Sequence, residues 1–325
     1  MAAVRDGVER FGDRMAALAL VRPKQPETLP VRITRRRIYI LPTGFGLFIA
    51  VSLGTMLVGG LNYNNNPALL LVFLLAAVVH NSFVHAHLIL SGVRLRALHA
   101  EPVFAGQAIS LKFRFDADGA RLRPGLELLC AGAQQIFDLG ANEESEVVMD
   151  IATQQRGWFE TGRIRLSTLR PLGLARAWSW LRPDTRLLVY PMLDIEAPVL
   201  PEAPGDGDSP RTRAHGEQPH HLREYRPGDM QRQIAWKASA RADRLLVREY
   251  ESAVARDITL DWQTLHALPY EAKIRRLARW VVDAERSGSR YCLRLPQQVV
   301  PAGRGAEHRH VCLRALALLP AAAES

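Results

Sequence analysis

Two apolar runs, residues 41–61 and 67–90, constrain this chain more than any other feature of its sequence. The first, LPTGFGLFIAVSLGTMLVGGL, carries no charge, and the second opens PALLLVFLLAAVV. At helical rise the first run alone covers about 30 Å, the thickness of a bilayer's hydrocarbon core. Only Asn62-Tyr63-Asn64-Asn65-Asn66 separates the two, so the pair reads as a transmembrane hairpin. Arginines stand outside it: Arg32 and Arg35 to Arg37 before, Arg94 and Arg96 after, none in the connecting loop. The positive-inside rule then places both flanks, and the soluble parts with them, in the cytoplasm. His80, His85 and His87 raise haem or metal ligation, but they sit where the membrane interface hydrates imidazoles, and no ligand role is expected.

The net charge of +9 and sequence pI of about 9.9 raise nucleic-acid binding. Residues 1–40 alone hold nine basic and four acidic side chains, an excess of +5 directly before the first apolar run. That placement points to membrane orientation, and no nucleic acid is expected. Within this basic N-terminal segment Val8, Phe11, Met15 and Leu18 fall on one face of a possible amphipathic helix. The three cysteines, Cys130, Cys292 and Cys312, form no C-x-x-C pair and read as buried free thiols.

After the hairpin the pattern changes. LKFRF alternates apolar and charged residues at Leu111, Phe113 and Phe115, and similar short runs recur at 126–129, 147–151, 164–169 and 186–190. Short alternating strands at this spacing predict a β-sandwich over residues 91–193. Gly157 and Gly162 suit turns within it, with Trp158 and Phe159 as core fillers. Residues 194–219 are rich in Pro, Gly and acidic side chains and read as a linker. His215, His220 and His221 lie at its end without the spacing of a zinc site.

The stretch His220 to Glu251, HHLREYRPGDMQRQIAWKASARADRLLVREYE, mixes basic side chains with the carboxylates Glu224, Asp229, Asp243 and Glu249. Pro227-Gly228 marks a turn. Ile234, Trp236 and Ala238 alternate as in a short half-buried strand or tight irregular segment, and residues 245–250 read as a strand. Beyond it, residues 257–261 form a strand, Pro269 opens a helix over YEAKIRRLARWVVDAER, Gly288 stops it, 291–295 is the next strand and 306–319 a last helix. This order predicts an α/β module with a parallel strand pair, beside the strand at 245–250.

The pattern L-R-E-Y-R-P-G-D, R-x-I-x-W-K-A-S-A-R and L-L-V-R-E-Y-E resembles the signature of the bacterial family called domain of unknown function 58. RGWFETGRIRL and RPLGLARAW, residues 156–166 and 170–178, resemble patches of that family's immunoglobulin-like region. The resemblance implies a multidomain inner-membrane protein: a basic segment (1–40), the hairpin (41–90), an immunoglobulin-like β-sandwich (91–193), a linker (194–219), and the signature with a truncated von Willebrand A-like α/β module (220–325). From Asp257 the sequence runs through 69 residues, about two βαβ-sized units of ~30 residues each. The family also implies a partner, a MoxR-type AAA ATPase; the signature stretch itself is read as a binding site, at Arg223, Tyr225, Arg226, Gly228, Asp229, Arg232, Trp236, Lys237, Arg241, Arg248 and Glu249. Here Ala235 and Gln233 depart from the family's usual polar residue and second arginine.

A von Willebrand A module would begin its metal motif, D-x-S-x-S, at Asp261. This chain reads Asp261-Trp262-Gln263-Thr264-Leu265, with both serines replaced and Thr264 out of register, so no metal is expected there. No G-x-S-x-G, phosphate-binding loop or H-E-x-x-H occurs. His310 and Cys312 lie too close along one helix to face each other. The resemblance implies a non-enzymatic, membrane-anchored adaptor without cofactors, and these absences favour such binding over catalysis, with arginines contacting acidic side chains or phosphate. Two alternatives stay open: an anionic-lipid or nucleic-acid module built on the basic stretch, and a hydrolase using Asp229, Lys237 and Glu249.

Overall fold

A computed structural model describes residues 25–201, 221–225, 235–242, 245–249 and 257–320. The candidate amphipathic helix at Val8 to Leu18 lies outside them. The chain divides into two compact units, one of residues up to Met192 together with Ala317–Ala321, the other centred on Leu193–Leu316.

The first unit contains, in order, β1 (Val31–Arg32), β2 (Tyr39–Pro42), α1 (Gly44–Asn62), α2 (Asn66–Leu90), β3 (Val93–His99), β4 (Val103–Phe104), β5 (Ala108–Ala117), β6 (Arg123–Cys130), β7 (Ala133–Leu139), β8 (Ser145–Ala152), β9 (Gly157–Phe159), β10 (Ile164–Thr168), β11 (Ala175–Leu181) and β12 (Leu187–Tyr190). One antiparallel sheet runs β1-β3-β5-β8 and another β2-β11-β10-β6-β7, with a small third sheet β4-β12-β9. The two larger sheets share a single core. Strand β5 turns Ile109, Leu111, Phe113 and Phe115 inward, all fully buried, and sends Lys112 and Arg114 outward, as the two-residue period of a strand requires. Leu126 and Leu128 of β6 and Ile164 and Leu166 of β10 meet them from the other sheet. Trp158, expected as a core filler, is 44% exposed on the short edge strand β9, while Phe159 packs against the core. Successive residues of a strand face opposite sides, so only one of the pair can point inward.

Helices α1 and α2, of 19 and 25 residues, are long and apolar enough to cross a membrane. At 1.5 Å per residue they measure about 28 and 37 Å. Phe45, Phe48, Val51, Val58, Leu70, Phe73, Leu74 and Val78 are exposed along them. Their ends differ from the sequence expectation. Leu41 and Pro42 belong to β2, which pairs with β11, and Thr43 caps α1 by accepting from the Gly46 amide. At the other end Ala86, Ile89 and Leu90 of α2 join the core of the sheets. The hairpin is thus an insertion within the strand-rich unit: β1 and β2 precede it yet pair with β3 and β11, which follow it. Both of its ends are fastened. Thr43 donates from its amide to the Leu174 carbonyl (2.9 Å) and from its hydroxyl to that of Gly173 (2.6 Å). A Cβ on Gly46 would lie 1.9 Å from the Leu174 carbonyl oxygen, so only glycine permits this approach.

The second unit holds β13 (His221–Glu224), α3 (Trp236–Ala242), β14 (Leu246–Glu249), β15 (Ile258–Asp261), α4 (Tyr270–Arg286), β16 (Tyr291–Arg294), β17 (Val299–Gly303) and α5 (Ala306–Ala317). Strands β15 and β16 are parallel, joined through α4, and β17 adds an antiparallel edge. Helix α4 buries Ile274, Leu277, Ala278 and Val281 and stops at Gly288, whose φ of +66° disfavours a side chain. Strand β14, which the sequence order placed beside the parallel pair, pairs with β13 in a separate two-stranded sheet. Residues 194–198, read as linker, are tied to α4: Arg276 donates to Asp194 (2.5 Å) and the Trp280 indole to the Pro198 carbonyl (3.0 Å).

Candidate functional site

The signature stretch folds as strand, helix, strand. β13 and β14 pair in the register Leu222↔Arg248, Arg223↔Val247 and Glu224↔Leu246, with Glu249 opposite His221. Tyr225 and Ala235 continue the pairing by donating to the carbonyls of Leu245 (2.9 Å) and Leu246 (2.8 Å). Between them α3 replaces the strand or irregular segment expected around Trp236. Its sequence, WKASARA, is mostly strong helix formers, and three alternating positions carry too little periodicity to oppose them. Ser239 anchors the helix. Its buried hydroxyl accepts from the Leu246 amide (2.9 Å) and donates to the Ala235 carbonyl (3.1 Å). With Ala235 and Ser239 turned inward, the helix presents Trp236, 63% exposed, together with exposed Lys237 and Arg241. No carboxylate pairs with Lys237 or Arg241 among the described residues. Arg226, Gly228, Asp229 and Arg232 lie outside those residues, and Arg223, Arg248 and Glu249 are placed by strand register alone.

In the α/β module the Asp261 carboxylate caps a 3-10 turn, Trp262–Leu265, by accepting from the Gln263 amide (2.9 Å). The Thr264 hydroxyl donates back to the Asp261 carbonyl (2.8 Å). Trp262 stacks edge-on against Tyr270, and Lys273 lies over the Trp262 ring, 5.3 Å from its centroid. The position that opens a metal motif elsewhere is here a turn cap beside an aromatic pair. Among the described residues no group of three or more His, Cys, Asp or Glu is placed to hold a metal ion, His80, His85 and His87 included.

Sequence spacing set aside His310 with Cys312. It overlooked His308, one helical turn before Cys312, whose Nε2 lies 3.6 Å from the thiol. The same nitrogen lies 2.9 Å from the Tyr291 carbonyl, which can only accept, so Nε2 carries its proton and is no base for the thiol. Burial, with Cys292 nearby, pushes the Cys312 thiol up to about 12. The pair is a packing contact between α5 and β16, without the electropositive surroundings of a nucleophilic cysteine.

Two ionic features of the strand-rich unit left no local sign in the sequence. Arg123, 3% exposed, donates to the carbonyls of Ile89 (2.9 Å), Ser91 (2.5 Å) and Asp118 (2.9 Å). It thereby caps the C-terminus of α2, where the helix dipole is negative. Burial lowers its pKa. On β5 the buried Asp116 accepts from Arg94 (2.8 and 3.1 Å) and Arg96 (2.6 Å). Burial alone would raise its carboxyl, but these bonds prevail and hold it below its ordinary value.

Against known proteins, the chain is 24% identical over 176 residues to the uncharacterized protein YeaD of Bacillus subtilis (strain 168). That match takes in 52% of this chain and 44% of the relative, so it spans less than half of the relative's length. Residues 221–325, from the first strand of the signature stretch onward, match the family model described as "Protein of unknown function DUF58".

Proposed function

We propose that this chain is a membrane-anchored, non-enzymatic adaptor that acts with a MoxR-type AAA ATPase in assembling or remodelling protein complexes. The observation that carries the reading is the outward face of α3. Trp236, Lys237 and Arg241 stand exposed within the family-matched segment, and Ser239 holds their helix in place. An exposed tryptophan flanked by cations supplies the anchor and the charge by which a partner's acidic surface is recognised. In this reading the hairpin spans a bacterial inner membrane, and the arginines around it keep both units on the cytoplasmic side. The strand-rich unit is immunoglobulin-like and residues 257–320 a reduced von Willebrand A-like module.

The test is a gentle-detergent pull-down of the intact protein with and without ATP, with partners identified by mass spectrometry. An AAA ATPase recovered in a nucleotide-dependent manner, and lost with Trp236→Ala or Lys237→Glu/Arg241→Glu at unchanged unfolding, is the expected result. Unchanged recovery from those variants would sink the α3 face as the docking site. Lys237 and Arg241, without a carboxylate partner among the described residues, also favour a second reading, binding of anionic lipid or nucleic acid, which requires affinity to fall steeply with salt.

A further inference from the structure

Two loops of the strand-rich unit stand at the two ends of the hairpin. Residues 118–122 join β5 to β6, and 169–174 join β10 to β11. The second is bonded to the start of α1 through Thr43, and the first to the end of α2 through Arg123, which also takes the Asp118 carbonyl. The second loop lies against the start of β6, the strand into which the first loop runs: a Cβ on Gly125 would lie 2.8 Å from Cγ of Arg170. Each loop exposes leucine beside arginine. Leu122 is 63% exposed next to Arg121, and Leu169 (38%) and Leu172 (51%) flank Arg170. Neither Arg121 nor Arg170 has a carboxylate partner among the described residues. Asp118, the acidic residue of the first loop, is taken by Arg32 and Arg94. The buried Arg123 adds positive charge near Arg121.

We propose that these loops form a second contact with the bilayer, in which the three leucines enter the interfacial layer and Arg121 and Arg170 bind the phosphates of anionic phospholipids. The inference rests on the hairpin spanning the membrane. Continuity supports it: the exposed Phe45, Leu47 and Phe48 of α1 follow directly on the turn that Thr43 fastens to the second loop. Leucine beside arginine suits an interface where apolar atoms leave water and guanidinium meets phosphate two bonds at a time. A partner protein with an acidic surface would also meet the arginines, but it would not need the loops at the base of an apolar hairpin.

The experiment uses the full chain in vesicles of phosphatidylcholine, with and without phosphatidylglycerol. Leu122→Cys and Leu172→Cys carry an environment-sensitive fluorophore, with the unsubstituted chain as labelling blank. The expected result is quenching by spin-labelled lipid, protection from aqueous iodide, and enrichment of phosphatidylglycerol around the protein. That enrichment should fall about fivefold for each of Arg121→Ala and Arg170→Ala. Labels quenched by iodide and not by lipid, or enrichment unchanged in the double variant, would overturn the proposal. Retention in vesicles after alkaline washing is scored separately. Its loss defeats the hairpin reading and the loop contact together, whereas retention without lipid quenching defeats the loop contact alone.

Discussion

Arg123 in the strand-rich unit is 3% exposed and holds carbonyls at the end of α2, whereas Arg241 in the second unit is exposed on α3 with no carboxylate paired to it among the described residues. The contrast extends beyond these two. Arg94 and Arg96 are fixed on the buried Asp116, while Lys237 joins Arg241 on the open face of the helix. These three arginines of the first unit are struts, and their hydrogen bonds belong to the stability of the fold. On α3 of the second unit, Lys237 and Arg241 have no carboxylate acceptor among the described residues. Basic residues that look alike in composition therefore divide by whether a strand or helix has already given them an acceptor.

The largest effect that would break this division is expected at Arg123. Arg123→Met leaves the carbonyls of Ile89 and Ser91 buried without that donor and should cost about 3 kcal/mol or more. Arg241→Met should change stability by less than about 0.5 kcal/mol. Denaturant titration in detergent, followed by tryptophan fluorescence, reads both, and equal costs would erase the distinction.

A smaller effect is expected at Asp116, where Asp116→Asn should cost about 2 kcal/mol at neutral pH through two weakened charge-assisted contacts. Its direction with pH sharpens the point. The folded carboxyl sits below the ordinary value of 3.8, so its contribution is complete above that value and is lost as pH falls through the lower folded one. Unfolding of the wild type should steepen with acid below about pH 4, while the Asn variant loses that part of the dependence. The same acid profile in both proteins would show that Asp116 is not held as described.

The smallest effect is expected in the second unit, where Asp261→Ala removes a turn cap and should cost about 1 kcal/mol. Added Mg²⁺ or Mn²⁺ should leave the wild-type melting temperature unchanged. A cation-dependent rise abolished by the substitution would mean that Asp261 is a ligand after all.

The hairpin and the alternation of β5 were readable because each repeats one physical rule over many residues. The strand, helix and strand after Asp257 and the last helix were readable for the same reason, but the edge strand β17 before that helix was not. Strands β1 and β2, of two and four residues, were not, since so short a run has no period and takes its place only through β3 and β11. Arg123 gave no local sign of burial, because its acceptors come from a helix end made more than thirty residues earlier. His308 with Cys312 could have been found from its spacing of four. Trp236 misled because a lone tryptophan is ordinarily buried, and the small residues that seat its helix, Ala235 and Ser239, carry little weight in a hydrophobic pattern.

The hairpin's position inside the strand-rich unit also orders events in time. Tyr39 leaves the ribosome early, yet its strand partner is Trp178, which follows both long helices and most of the other strands. On the proposed membrane reading, β2 waits unpaired while α1 and α2 are delivered to the bilayer, and the border of its sheet is completed only once β11 has been made. On that reading completion of the sheet would serve as a checkpoint, since only a chain whose hairpin has returned to the side it left would bring Tyr39 and Trp178 together.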